Sequence, residues 1–225
     1  DVADGTVADC TAVGGVFIMA DLEPIGVTNG GEVDGVEIDV SMPLPDGMAV
    51  QLESGQRFVM QSHYLNTTTE AYTVRDLAVL TLLPAEGIAD DMWAAPLVFN
   101  DSGFSIPVGG ELTRTFDCTT EKDWNFLYVL GHMHEWGTAI SVEEVQSDAS
   151  TTPFYEIADW DPVYRDAPVI DYYPDGAMPV PAGTTYRTTC SWFNDQDTPL
   201  VFPYEMCVGL SIVYPQKATV VCDAE

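Results

Sequence analysis

The stretch "LYVLGHMHEWGTAISV" (residues 127–142) joins two apolar segments, and the strand pattern of the chain extends from it in both directions. Its first half belongs to residues 125–134 and its second half to residues 138–146. In both segments side chains alternate in character, which is typical of β-strands with one buried face. The stretch therefore predicts two strands, and it contains two of the three histidines of the chain, His132 and His134.

The same pattern recurs along most of the chain. Further strand signals occupy residues 55–66, 75–83, 112–118, 184–193 and 205–215. Turn clusters rich in Gly, Pro, Asn and Asp separate them. Residues 87–95 are the best candidate for a helix, and no helical pattern is longer than a couple of turns. We expect an all-β fold, an antiparallel jelly-roll β-sandwich with disulfides.

Composition and charge argue against several classes of function. The chain has 225 residues, of which 46% are hydrophobic, so it is long enough and apolar enough to bury a core. No run approaches the roughly 18 apolar residues that a membrane helix needs. With 36 acidic and 7 basic residues, the net charge of −29 disfavours nucleic acid and anionic membranes as partners and attracts cations. The sequence contains no calcium-loop motif.

The cysteines indicate an oxidising compartment. Five are present, and none lies in a CxxC pair, which makes a zinc ribbon or a thioredoxin-type site improbable on sequence grounds. Scattered cysteines in a strand-rich chain favour disulfides. We therefore expect a secreted, periplasmic or extracellular protein, with one cysteine left over.

The His132-Met133-His134 pattern is compatible with a metal site. Residues i and i+2 of a strand point to one face, so the two imidazoles face one ion while Met133 faces the other way. The pattern is also compatible with a plain polar strand face. A metal site would need a third ligand from His63, a carboxylate, a cysteine or a methionine. Imidazole with thioether favours Cu(I), and Met206 lies in a strand signal.

Four motifs in the same order carry a family resemblance: "RFVMQSHYLN" (57–66), "GHMHEWGTAISVE" (131–143), "TTCSWFN" (188–194) and "YEMCVGLSIVYP" (204–215). They resemble the C-terminal half of the copper type II, ascorbate-dependent monooxygenases, the family of peptidylglycine alpha-hydroxylating monooxygenase and dopamine beta-hydroxylase. The resemblance extends over residues from about 40 to 222.

The resemblance implies a copper site. It assigns the oxygen-binding copper to His132, His134 and Met206, ascorbate as reductant, and a small-molecule or peptide substrate. It makes His63 a ligand of a second, electron-transfer copper. The remaining ligands of that copper in the family are a His-His pair, which this chain lacks. The second site is therefore incomplete in these residues.

The resemblance also implies the disulfide pairing. It pairs Cys190 with Cys207 and Cys118 with Cys222, and it leaves Cys10 unpaired. Residues 1–54 are then an acidic, Gly-rich segment, the remnant of a first copper domain, and residues 55–225 form the copper-carrying sandwich. Cys10 would connect to a missing N-terminal domain or a partner chain.

Three functions remain open at this stage. The first is a copper- and ascorbate-dependent monooxygenase. The second is a non-catalytic protein for copper capture, storage or delivery, which needs only the site with two histidines and one methionine. The third is an acidic surface or adhesion domain with a degenerate site, which binds no copper tightly.

Overall fold

β-Strands are the main regular structure of the described residues, whose helices are short 3-10 turns. The structure is a computed structural model that describes residues 29–33, 36–40, 44–56, 58, 69–71, 73, 80–173 and 178–224. The strands are β1 (Asn29–Val33), β2 (Val36–Val40), β3 (Ala95–Asp101), β4 (Ser105–Ile106), β5 (Glu111–Thr119), β6 (Trp124–His132), β7 (Gly137–Val145), β8 (Thr151–Ile157), β9 (Ile170–Tyr172), β10 (Met178–Val180), β11 (Thr185–Phe193), β12 (Leu200–Val201), β13 (Cys207–Tyr214) and β14 (Val220–Asp223).

Two sheets dominate this described part. One has six strands in the order β10-β6-β13-β3-β14, with β9 also paired to β6, and the other has four strands in the order β5-β11-β7-β8. All pairings are antiparallel except the parallel pair β3 and β14. The chain crosses between the sheets several times from β5 to β13, as in a jelly roll. The predicted β-sandwich is confirmed.

The hydrophobic core lies between the two sheets. Phe99, Phe126 and Val129 of the six-stranded sheet are 0% exposed, and they belong to one apolar cluster with Ile140 and Tyr186 of the four-stranded sheet. Burying aromatic and branched side chains from both inner faces is the main source of stability in a sandwich.

A second apolar layer covers the outer face of the six-stranded sheet. Met48, from the segment that precedes the sandwich, packs there with Ala94, Tyr128, Leu130 and Ile212. Because that face is also partly covered, several strands of this sheet are buried on both sides.

Both disulfides that the resemblance implied are present. Cys118–Cys222 joins β5 to β14 and Cys190–Cys207 joins β11 to β13, with Cα–Cα distances of 6.0 and 5.9 Å. Each bridge therefore connects the two sheets. Because β11 and β13 belong to opposite sheets, the Cys190–Cys207 bridge crosses the core directly beside Met206 in sequence.

Two sequence predictions outside the sandwich need correction. Of the strand predicted over 75–83, the described residues 80–83 form no strand, and Leu82 is 74% exposed. The helix candidate 87–95 contains only a short 3-10 turn, Asp90–Met92, after which β3 begins. Most of the strand predicted over 55–66, including His63, lies outside the described residues, as does Cys10.

The described part of the chain contains no helix with the length and apolarity that a membrane crossing requires.

Candidate metal centre

The end of β6 presents the two histidines on the outer face of the six-stranded sheet. Gly131 and Met133 face the core: a Cβ atom on Gly131 would lie 2.9 Å from side-chain atoms of Ile140, and Met133 is 0% exposed within the core cluster. Because side chains alternate along extended backbone, His132 and His134 lie on the opposite face. The prediction that Met133 points away from the two imidazoles is confirmed.

The two imidazoles are close enough to share an ion. Their ring centroids lie 5.1 Å apart, and the ring planes are nearly perpendicular at 88°. Two imidazoles that each place a nitrogen about 2.0 Å from a shared ion have centroids about 5 Å apart when the angle between the bonds is near-tetrahedral. Both side chains are partly buried. Their spacing therefore fits a common ion.

Met206 lies on the same face as the histidines. Val208 is opposite His132 in the antiparallel register of β13 and β6. Met206 precedes β13 by one residue, is 4% exposed and packs against Val208 and Val98 on the outer face. The register makes Met206 a diagonal neighbour of His132, a relationship with a typical separation of about 7–8 Å between Cα atoms. Met206 therefore lies on the sheet face that carries Val208, the register partner of His132.

The ring orientation of His134 is fixed by the loop before Met206. Its Nδ1 atom lies 3.0 Å from the carbonyl oxygen of Tyr204, and the indole Nε1 of Trp160 donates to the backbone carbonyl of His134 at 2.9 Å. A carbonyl oxygen can only accept, so Nδ1 of His134 carries a proton, and in the neutral ring Nε2 is the nitrogen with the lone pair. Metal-binding histidines are commonly oriented in this way.

Burial keeps His132 uncharged. It lowers the pKa of His132 to about 4, with a further lowering from the neighbouring His134 and an opposing effect of Asp166. Desolvation disfavours the charged imidazolium, so the ring is neutral at physiological pH. A neutral imidazole is the form that binds a metal.

Glu205 is a central residue of this centre that sequence reasoning missed. Its side chain is 0% exposed. One carboxylate oxygen accepts hydrogen bonds from the backbone N–H of His134 at 2.5 Å and of Met206 at 2.8 Å, and the other accepts from the N–H of Trp136 at 3.0 Å. Burial raises the pKa of Glu205, and the three amide donors oppose this rise. In a chain with 36 acidic residues, no pattern marks this one as buried.

Arg165 forms ion pairs beside the centre, because Glu135 directly follows His134. Arg165 contacts Glu135 and Asp166, both at 2.6 Å. Two other arginines also form ion pairs: Arg114 with Asp101 at 2.9 Å and Arg187 with Asp117 at 2.7 Å.

The donor set available here is unusual for zinc or calcium. In the described ranges, no group of three or more His, Cys, Asp or Glu side chains is arranged to hold an ion. Among the described residues, the thioether of Met206 is the candidate for a third ligand next to His132 and His134. Two imidazoles and one thioether form a soft set that suits Cu(I).

A scan against models of known protein families and a search of curated proteins both gave no match. The family resemblance therefore rests on the four sequence motifs.

Proposed function

We propose that this chain binds one copper ion through His132, His134 and Met206. The observation that supports the proposal is the placement of all three side chains on one outer sheet face, with imidazole centroids 5.1 Å apart. Each residue also has its ordinary structural explanation, since a strand histidine can be a polar surface residue and a buried methionine can be a packing residue. Their convergence favours the metal site.

The surrounding residues prepare the donors for a metal. The Tyr204 carbonyl engages Nδ1 of His134 and leaves Nε2 as the ligand atom, and burial keeps His132 neutral, so His132 needs to lose no proton to bind a metal. Met206 supplies a sulfur donor from a buried, packed position, which keeps water away from one side of the centre. Bound copper would supply the redox chemistry by which the resembled monooxygenases use O2 to hydroxylate a C–H bond.

Monooxygenase activity with ascorbate as reductant is the catalytic form of this proposal. It rests on the motif resemblance, and the substrate class it implies is a peptide or a small molecule. In the family, electrons arrive through a second copper. Of the three histidines in the chain, two belong to the proposed centre and the third, His63, is the remaining candidate for that second copper.

The histidine inventory favours a second function, copper capture or delivery without catalysis. Such a protein needs only the centre at His132, His134 and Met206. Its net charge of −29 would raise the local concentration of cations. Two disulfides fit an oxidising compartment, and we infer a secreted or otherwise extracytoplasmic location for either function.

Copper stoichiometry measured together with oxygen uptake separates these functions. The protein is dialysed against copper, analysed for metal content, and then tested for ascorbate-driven oxygen uptake with a peptide or a phenethylamine substrate. One copper per chain with substrate-coupled uptake supports the monooxygenase, and one copper without coupled uptake supports capture. Two coppers per chain would show that the second site is complete.

Two matched histidine variants test the ligand assignment. His132→Ala should lose the bound copper, whereas His63→Ala, a change of the same residue type in another part of the sequence, should retain one copper per chain. Stoichiometric copper in His132→Ala would overturn the proposed centre.

A further inference from the structure

We propose that Glu205 is a positioning residue for the copper centre, whose buried carboxylate holds the segment with the two imidazoles against the turn with the methionine. The inference rests on the proposed function. It concerns a residue that would not touch the metal and would act through the backbone of two ligands.

The hydrogen bonds of Glu205 lie where the strand ladder ends. β6 ends at His132 and β13 begins at Cys207, so the amides of His134 and Met206 lie beyond the paired part of both strands. One oxygen of Glu205 accepts from both amides, at 2.5 and 2.8 Å. The carboxylate therefore continues the connection between the strands at the position of the ligands.

The second carboxylate oxygen fixes the turn that follows. It accepts from the N–H of Trp136 at 3.0 Å, so the segment from His134 to Trp136 is held at both ends by one side chain. His134 is thus fixed at three points: its amide by Glu205, its carbonyl by the indole of Trp160, and its Nδ1 by the carbonyl of Tyr204. Tyr204 immediately precedes Glu205, so the same short loop determines the position and the tautomer of the ring.

Complete burial of the Glu205 carboxylate costs free energy unless its oxygens accept hydrogen bonds. A carboxylate transferred from water to the protein interior loses its hydration, and three N–H donors offset that loss. An apolar side chain would fill the same volume without this requirement. The carboxylate is therefore best explained by the geometry that it imposes on the two ligand segments.

Glutamine cannot reproduce these contacts. Its side chain has one acceptor oxygen and one NH2 donor, whereas Glu205 uses both oxygens as acceptors. In Glu205→Gln, one of the two amide-facing positions would place a donor against a donor. Aspartate keeps both acceptors but is one methylene shorter, so it reaches the amides incompletely.

The experiment compares Glu205→Gln with Thr120→Val, a matched control. Thr120 is also buried and also ties loops together, because its hydroxyl donates to the carbonyl of Pro181 and accepts from the N–H of Thr184. It lies just beyond β5, at the edge of the sandwich where β6 begins, whereas the proposed centre lies where β6 ends.

Three measurements are made on folded protein. In copper-free protein, hydrogen exchange of the amides of His134, Trp136 and Met206 should be at least tenfold faster in Glu205→Gln than in wild type. With copper, Cu(I) affinity measured by competition with a chromogenic chelator should fall at least tenfold, and the Cu–S signal in X-ray absorption should be lost. Thr120→Val should lower thermal stability and leave the amide exchange, the affinity and the Cu–S signal unchanged.

Each outcome decides between the two levels of the proposal. Wild-type Cu(I) affinity and an intact Cu–S signal in Glu205→Gln would overturn the positioning role and leave the copper site standing. Failure of the wild-type protein to bind Cu(I) would overturn the copper site itself. If Glu205→Gln does not fold, the same three measurements are made on Glu205→Asp, for which we expect a smaller loss of Cu(I) affinity. Wild-type affinity and an intact Cu–S signal in Glu205→Asp would then overturn the positioning role.

Discussion

The Nδ1 atom of His134 lies 3.0 Å from the backbone carbonyl oxygen of Tyr204. Because the carbonyl can only accept, the ring is held as the Nδ1–H tautomer, and Nε2 is the atom free to bind a metal. We expect long-range proton–nitrogen NMR spectra of the metal-free protein to show a protonated Nδ1 and an unprotonated Nε2 in this ring. A protonated Nε2 would contradict the assignment.

Replacing Met206 with leucine tests the thioether separately from the packing. Leucine has nearly the same volume, so Met206→Leu should cost less than about 1.5 kcal/mol of folding free energy. It removes the sulfur, however, so Cu(I) affinity should fall at least tenfold, about 1.4 kcal/mol of binding free energy. The measurements are thermal unfolding and competition with a Cu(I) chelator.

Met133→Leu is the matched control. Met133 is also buried, but its side chain lies on the core side of the sheet. In sequence it stands between the two histidines. It should lose a similar amount of stability and keep the wild-type Cu(I) affinity. Equal losses of affinity in both variants would mean that packing, not the thioether, determines copper binding.

Sequence reasoning located β5 from its contrasting faces, and it located β6 and β13 although both are buried at most positions. The pattern of β5 alternates between exposed and buried positions over most of its length, and the prediction over 112–118 matched it. In contrast, β3 is buried at all seven positions, because it lies in the middle of a sheet covered on both faces. Such a strand need not show alternation, and a period-two search gave no strand over residues 95–101.

An edge strand was missed for a different reason. β8 contains Pro153, a residue that ordinarily argues against a strand. In the structure β8 is the last strand of the four-stranded sheet, and Pro153 follows a register shift between Val142 and Glu143 of β7. Proline is tolerated in an edge strand, but only the sheet order shows that β8 is an edge strand.

The candidate centre was predictable to the extent that it depends on strand geometry. The common face of His132 and His134 follows from their spacing alone. Two of the three amide contacts of Glu205 depend on how two distant segments meet, since His134 and Trp136 lie 71 and 69 residues from it in sequence. Sequence spacing holds no information about such a contact, so the residue that joins the ligand segments could be identified only in the structure.

Acid should destabilise the metal-free protein through His132. Burial lowers its pKa to about 4, whereas the unfolded chain keeps a value near 6.5. Between these values the unfolded chain binds a proton that the folded chain does not, so this contribution to stability is complete above about pH 6.5 and is lost as the pH falls toward 4. The midpoint of the His132 Cε1–H shift in an NMR titration should lie near 4.

The stability of a His132→Asn variant isolates this contribution from those of other groups. The difference in unfolding free energy between wild type and His132→Asn should shift in favour of wild type as the pH rises from 4 to 6.5, in urea titrations of the metal-free proteins. A constant difference over this range, or an NMR midpoint near 6.5, would contradict the buried neutral imidazole.

Close contact between the sheets beneath the centre makes Gly131 sensitive to substitution. A Cβ atom there would lie 2.9 Å from Ile140 Cγ2 and from Tyr155 Cε1, closer than real Cβ contacts allow. Gly131→Ala should therefore cost about 1–3 kcal/mol of folding free energy through overpacking. Gly87→Ala is the control, because nothing lies within 4 Å of its Cβ position, and it should change stability little. Urea unfolding compares the two, and equal stabilities would refute the close packing.

The two disulfides should separate stability from copper binding. Both cross between the sheets, but Cys118–Cys222 spans 104 residues and Cys190–Cys207 spans 17. A longer closed loop restricts the unfolded chain more, so in the chain-entropy model removing the longer bridge should cost about 1.6 kcal/mol more. Only Cys207, however, is adjacent to Met206. The Cys190→Ala/Cys207→Ala variant should therefore lose more Cu(I) affinity than the Cys118→Ala/Cys222→Ala variant, which should lose more thermal stability. Chelator competition and thermal unfolding are measured on the same samples. If both variants lose Cu(I) affinity only in proportion to their lost stability, the bridge next to Met206 has no specific effect on the copper centre.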